Sequence, residues 1–143
     1  MIRLKNELEN VKTVAVAGHI RPDGDCTGSC LAVYSYLQEN FPEISVDVYL
    51  EAVNPNFLFL KGADQVKTSC AEEKKYDLFI SLDASDKERL GEAVKYLETA
   101  EKTLCIDHHI TNTGFAGENW IDAQASSTSE LAYQMMEEER ISR

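Results

Sequence analysis

Short apolar runs recur along the chain at strand length, and the stretches between them are long enough for helices. Val11 to Ala17, Ser45 to Leu50, Asp77 to Leu82 and Thr103 to Ile106 each read as a strand. Residues 2 to 10 read as a short first helix. Thr27 to Glu39 follows as a second, with Leu31, Tyr34 and Leu37 on an apolar stripe, Gln38 at its polar edge and Pro42 closing it. Lys87 to Thr99 is a third. Strands that alternate with helix-length segments predict parallel βαβ units with right-handed crossovers, hence an α/β fold: a three-layer, doubly wound, mainly parallel sheet. Asn54-Pro55-Asn56 marks a turn, and the apolar run Phe57-Leu58-Phe59-Leu60 reads as core, either as a short strand or as a packed helical turn. Thr111 to Gly117 is a loop, and Trp120-Ile121 adds a small edge strand. Ser127-Thr128 with Glu130 has the pattern of a helix start with capping hydroxyls. The charge run Glu137-Glu138-Glu139-Arg140 reads as a solvated face of that helix.

Chemistry gathers where these apolar runs end. His19-Ile20-Arg21-Pro22-Asp23-Gly24-Asp25 follows the first strand, Asp83 ends the third, and Asp107-His108-His109 ends the fourth. Open α/β sheets place their sites at the carboxyl ends of their strands. Several carboxylates brought to one place oppose each other's ionisation, and a divalent cation removes that cost while using the imidazoles as well. The expectation is a metal-dependent hydrolase with His19, Asp23, Asp25, Asp83 and His108 as ligands. Asp83, otherwise an expensive carboxylate at the end of an apolar strand, would bridge two ions. His109 is the candidate for contact with a substrate phosphate, and Asp107 for orienting an imidazole or bound water. On an extended backbone His108 and His109 would point in different directions. Asp86 reads as the cap of the helix that begins at Lys87, and Gly28-Ser29 as either helix packing or a place where an anion approaches the helix start.

Charge and cysteine content narrow the partners. With 25 Asp and Glu against 14 Lys and Arg, the formal net charge of −11 disfavours duplex DNA and suits a small anionic substrate only where bound cations reverse the local sign. Length and composition, 143 residues with 43% apolar, allow one core. Cys26, Cys30, Cys70 and Cys105 form no CxxC pair, and no leader or long apolar run is present, so a reduced cytoplasmic protein with no membrane association is expected. Cys26 and Cys30, four residues apart and able to share a helical face, read as buried thiols, with a metal or redox role as the lesser alternative; soft-metal chemistry is not expected, and neither Cys26 nor Ser29 has a base relay visible in sequence.

The segments His19 to Asp25, Asp83 and Asp107-His108-His109, with Ser126-Ser127-Thr128-Ser129-Glu130 beyond them, resemble the first motifs of the DHH phosphoesterases over nearly the whole chain. The nearest subgroup in this resemblance comprises bacterial enzymes that degrade very short RNAs and dephosphorylate adenosine bisphosphate. It implies two divalent ions, manganese first and magnesium or cobalt as alternatives. By the same resemblance His19 and Asp23 would hold one ion and Asp25 and His108 the other, Asp83 would bridge them, and His109 would meet the reacting phosphate. Short RNA or a small phosphorylated nucleotide is the substrate so implied. Pyrophosphate and cyclic dinucleotides are the alternatives within the broader family, and a catalytically incomplete phosphate-binding or regulatory domain is an alternative of another class. Full-length members carry a further metal-binding aspartate and a C-terminal substrate domain. Asp122 comes too early to be that aspartate, so residues 1–143 are expected to be the front part of a DHH catalytic domain.

Overall fold

The computed structural model describes residues 1–141. Five strands form a single sheet: β1 (Thr13–Ala17), β2 (Ser45–Tyr49), β3 (Leu78–Leu82), β4 (Lys102–Asp107) and β5 (Glu118–Ile121). Their order is β2-β1-β3-β4-β5, and every neighbouring pair is parallel. Four α-helices accompany them: α1 (Leu4–Glu7), α2 (Gly24–Asn40), α3 (Val94–Thr99) and α4 (Thr128–Ile141).

The alternation of side chains along each strand builds two cores. Val14, Val16, Ile80 and Ile106 face the layer of α1, α2 and α4, where Leu4, Leu31, Leu37, Leu131 and Met135 are buried. Ala15, Ala17 and Phe79 face the opposite layer, closed by Leu90, Tyr96 and Leu97. Both faces are covered, which explains why β3 is buried at all five positions and reads as an unbroken apolar run. Burying a side chain such as Phe79 or Ile80 contributes about 1.5–3 kcal/mol. The three-layer parallel arrangement is therefore the one the apolar pattern predicts.

Several local expectations are corrected. The first helix is one turn, Leu4–Glu7, and the first strand starts at Thr13 because the Val11 N–H closes the preceding turn on the Leu8 carbonyl and the Lys12 N–H is taken by the Asp77 carboxylate. The helix expected from Thr27 begins at Gly24: Asp23 is extended and its carboxylate accepts from the Cys26 N–H at 2.9 Å, an N-cap that starts the helix three residues early. Residues 87–99 are not one helix. A 3₁₀ stretch over Lys87–Ala93 breaks at Gly91, whose φ of 61° is left-handed, before α3 begins. Asp86 caps that stretch through the Arg89 N–H, as its position suggests. Phe57 to Leu60 is not core: a 3₁₀ turn over Pro55–Phe57 leads into it, and Phe59 is 81% and Leu58 60% exposed.

At the amino ends of the strands, Asp77 ties β1 to β3. Its carboxylate accepts from the backbone N–H of Lys12 (2.8 Å) and Thr13 (3.1 Å), and Thr13 Oγ1 accepts from the Asp77 N–H (3.0 Å). These hydrogen bonds outweigh a small burial cost and hold the Asp77 carboxyl below its usual range. A depressed carboxyl stabilises the fold above the unfolded value of about 4 and loses that contribution as pH falls through the folded value. Asp77→Asn, which keeps an acceptor oxygen but no charge, is therefore expected to cost about 1 kcal/mol at neutral pH. Urea titrations should show the gap to wild type closing in acid; a gap of constant size would assign the effect to packing instead.

Candidate metal centre

In an open parallel sheet the crevice opens where neighbouring strands send their crossovers in opposite directions. In the order β2-β1-β3-β4-β5 that point lies between β1 and β3. His19 follows β1 and Asp83 follows β3, so both stand at the crevice, and His108 and His109 arrive from β4 beside them. Asp83 is 2% exposed and sits at φ 67°, a left-handed conformation that a non-glycine residue adopts uncommonly and that aspartate tolerates better than most.

Around Asp83 the donors converge. His19 Nε2 lies 3.3 Å from Asp83 Oδ2 and 3.7 Å from Asp23 Oδ1. The other ring nitrogen, Nδ1, is 2.6 Å from the Ile20 carbonyl, which can only accept, so the proton of a neutral imidazole belongs on Nδ1 and the Nε2 lone pair faces the carboxylates. His108 Nε2 is 3.5 Å from Asp83 Oδ1 and 3.5 Å from Asp25 Oδ2. Among the described residues two three-donor groups result, each with ligand atoms within 4.8 Å of one another: His19, Cys26 and Asp83, and then Asp83, His108 and His109. Asp83 belongs to both.

The electrostatics suit a cation. Burial pushes the Asp83 carboxyl up against the opposing effects of His19 and Thr128, while hydrogen bonding to Asp83 and then to Cys26 raises His19 to about 11. The pocket between the carboxylates of Asp83 and Asp23 thus favours positive charge, whether a proton on His19 or a metal ion. Imidazole nitrogen and carboxylate oxygen are also the donors that divalent transition ions accept, so the residues present fit such ions.

Asp25 is held differently from the expectation. It lies in the first turn of α2, not in a loop, and its carboxylate caps another helix. Oδ1 accepts from the Ser129 N–H (2.9 Å) and Oγ (2.7 Å), and Oδ2 accepts from the Thr128 N–H (3.0 Å). Burial opposes its ionisation, but these bonds from Ser129 and Thr128 prevail and keep the carboxyl below its usual range. Thr128 Oγ1 also donates to Asp83 Oδ1 at 2.9 Å, so the start of α4 orients two of the acidic groups. The expected helix start is present there: Ser127 Oγ accepts from the Glu130 N–H, and Glu130 accepts from the Ser126 N–H. Gly28 faces Ser129 across the α2–α4 contact, with 3.7 Å between a Cβ placed on it and Ser129 Oγ, which makes its role packing.

The histidine pair also corrects the expectation of divergent rings. The chain leaves the extended conformation after Asp107, so strand alternation no longer applies, and the rings lie 4.6 Å apart with a tilt of 42°. Asp107, fully buried, accepts from His109 Nδ1 at 2.6 Å and from Asn112 Nδ2 at 2.9 Å, so the imidazole it orients is that of His109. A cleft of about 420 Å³ opens over His19, Asp23, Asp83 and His109, and Arg89 also lines it. A second cavity, about 210 Å³, reaches His19 from the side of Tyr49 and Leu90 and contains none of the three site aspartates. Sequence reading missed Arg89, Asn112 and the proximity of Cys26 to His19. The first two sit a few residues beyond the acidic motifs, Arg89 in the 3₁₀ stretch and Asn112 on the loop after β4, whereas the third is set by a contact between the end of β1 and α2 that no linear spacing reveals.

Residues 13–143 match the model of the DHH family, N-terminal domain. The chain belongs to the DHH family. This DHH chain is 29% identical over 123 residues to the bifunctional oligoribonuclease and PAP phosphatase NrnA of Bacillus subtilis (strain 168), a match that takes in 86% of the chain and 37% of the relative. It is 25% identical over 126 residues to the protein of the same name from Thermus thermophilus, covering 87% and 36%. Its fold is that of an exopolyphosphatase-related protein from Bacteroides fragilis, with a TM-score of 0.82 at 23% identity over 94% of this chain and 42% of the other. The DHH chain thus spans well under half the length of these relatives. Among its described residues no helix is long and apolar enough to cross a membrane.

Proposed function

We propose that this chain carries the metal-binding part of a two-metal phosphoesterase acting on short RNA oligonucleotides or adenosine 3′,5′-bisphosphate. The observation that carries the reading is Asp83, buried and shared between the two donor groups. His19 and Asp23 with Asp83 would hold one divalent ion, and Asp25 and His108 with Asp83 the other, with manganese first among the candidates and magnesium or cobalt as alternatives. When bound, such ions supply activation of water and neutralisation of charge on the phosphoryl oxygens. The chain's own residues do the rest. His19 is fixed in one tautomer by the Ile20 carbonyl, Thr128 and the start of α4 hold Asp83 and Asp25 in register, and His109, steered by Asp107, is aimed to contact the phosphate in the cleft. Arg89, which lines the same cleft, would add a cationic contact in a chain whose net charge otherwise repels the substrate.

The substrate class draws support from the names of the NrnA relatives. Those relatives extend far beyond the matched region, and full activity and substrate choice are proposed to need a further ligand and a substrate-binding segment in addition to residues 1–143. A phosphate-release assay with manganese tests this on adenosine 3′,5′-bisphosphate, a short RNA, pyrophosphate and a cyclic dinucleotide. It should be run on the 143-residue chain and on a longer chain that contains it. The first two substrates should be turned over by the longer chain and poorly or not at all by the shorter. Preference for pyrophosphate or the cyclic dinucleotide would replace the substrate assignment, and equal efficiency of the two chains would remove the need for further segments.

A further inference from the structure

One donor at the centre is sulfur. Cys26 lies in the first turn of α2, where the cap that Asp23 places on its N–H fixes the backbone, and its side chain is fully buried. Its Sγ, His19 and Asp83 form a group of three ligand atoms within 4.8 Å of one another. The space it fills is reserved for it. A Cβ placed on Gly18, at the end of β1, would overlap Cys26 Sγ and come within 3.0 Å of Cys30 Sγ, so only glycine before His19 lets the sulfur approach. Asp23, in contrast, is 66% exposed at its side chain, and one of its oxygens is occupied by the helix cap, which leaves the sulfur better enclosed than that carboxylate.

Resting on the metal-centre reading above, we propose that Cys26 is a sulfur ligand of the ion held by His19 and Asp83. The position then offers nitrogen, sulfur and oxygen, with Asp23 at its edge, a donor set that at this one position moves zinc and cobalt(II) ahead of the manganese otherwise placed first. On binding, the Sγ–H bond breaks, the sulfur's electron pair bonds the ion, and the proton passes to solvent. Cys30, one helical turn on and equally buried, belongs to neither donor group and serves as the internal control.

The test is the spectrum of the cobalt(II)-loaded 143-residue protein, together with zinc and manganese affinities by calorimetry. Wild type and Cys30→Ser should show a near-ultraviolet thiolate-to-cobalt charge-transfer band, and Cys26→Ser should lack it. Zinc affinity in Cys26→Ser should fall by on the order of 10–100-fold, with manganese affinity changed much less. X-ray absorption at the zinc edge of the wild-type protein gives the same answer with no variant. A sulfur shell near ~2.3 Å supports the ligand, and a shell of nitrogen and oxygen alone at ~2.0–2.2 Å overturns it. A charge-transfer band that survives in Cys26→Ser also overturns it. Zinc bound through nitrogen and oxygen only would leave the metal centre standing without the sulfur ligand, whereas no binding of any of the three ions would overturn both.

Discussion

Replacing Asp83 by asparagine is expected to remove divalent-metal binding from both donor groups while leaving the fold intact. An amide supplies no negative charge to bridge two cations, and charge neutralisation by metal is worth several kcal/mol in a transition state, so hydrolysis by an active longer chain should drop by about 10²–10³-fold or more. In the metal-free fold two effects oppose each other: burial raises the Asp83 carboxyl, a cost the neutral amide escapes, whereas the amide also withdraws the carboxylate that holds His19 protonated. Asparagine also tolerates the left-handed backbone at φ 67°, and its oxygen can still accept from Thr128 Oγ1. Calorimetric metal titration paired with thermal melts of the metal-free proteins reads both effects. The expected result is lost binding in a protein that still unfolds cooperatively; normal metal content would show that Asp83 bridges nothing.

The adjacent histidines should separate just as clearly. His108→Ala is expected to weaken metal binding strongly, because His108 Nε2 is the nitrogen placed 3.5 Å from both Asp25 and Asp83. His109→Ala should retain most of the metal and lose turnover instead, through the missing phosphate contact. The loss should be on the order of 10²–10³-fold, as for other groups that stabilise transition-state charge. Equal loss of metal in the two variants would mean that both rings are ligands, an arrangement for which the group of Asp83, His108 and His109 provides the donors. Asp107→Asn offers a companion measurement, since weakening the 2.6 Å contact to His109 Nδ1 should mimic part of His109→Ala without touching His108.

The sheet is legible in the sequence because parallel strands buried on both faces leave continuous apolar runs, and those runs stand at β1 to β4 within two residues of their observed ends. The helix starts are harder. Asp23 reads as a ligand in a loop, yet the same carboxylate is an N-cap, and capping moves the start of α2 to Gly24. Phe57 to Leu60 misleads because an apolar run signals burial only where another element covers it, and here a 3₁₀ turn exposes Leu58 and Phe59. At the candidate centre, residues at strand ends can be found from sequence, since topology alone gathers His19, Asp83 and His108. The partners that fix their geometry cannot: Thr128 and Ser129 reach Asp25 across more than a hundred residues, and Cys26 reaches His19 by packing of a helix on a strand.

That long reach sets an order of events during synthesis. Every ligand proposed within residues 1–143 has been made once residue 108 has left the ribosome, but the groups that seat Asp25 and Asp83 are in α4, made last of all the described elements. A nascent chain that stops before Thr128 contains all five strands of the sheet and still lacks the hydrogen bonds that position two of its carboxylates. Maturation of the centre therefore waits for the docking of α4, and metal uptake by a ribosome-bound chain would report that docking step.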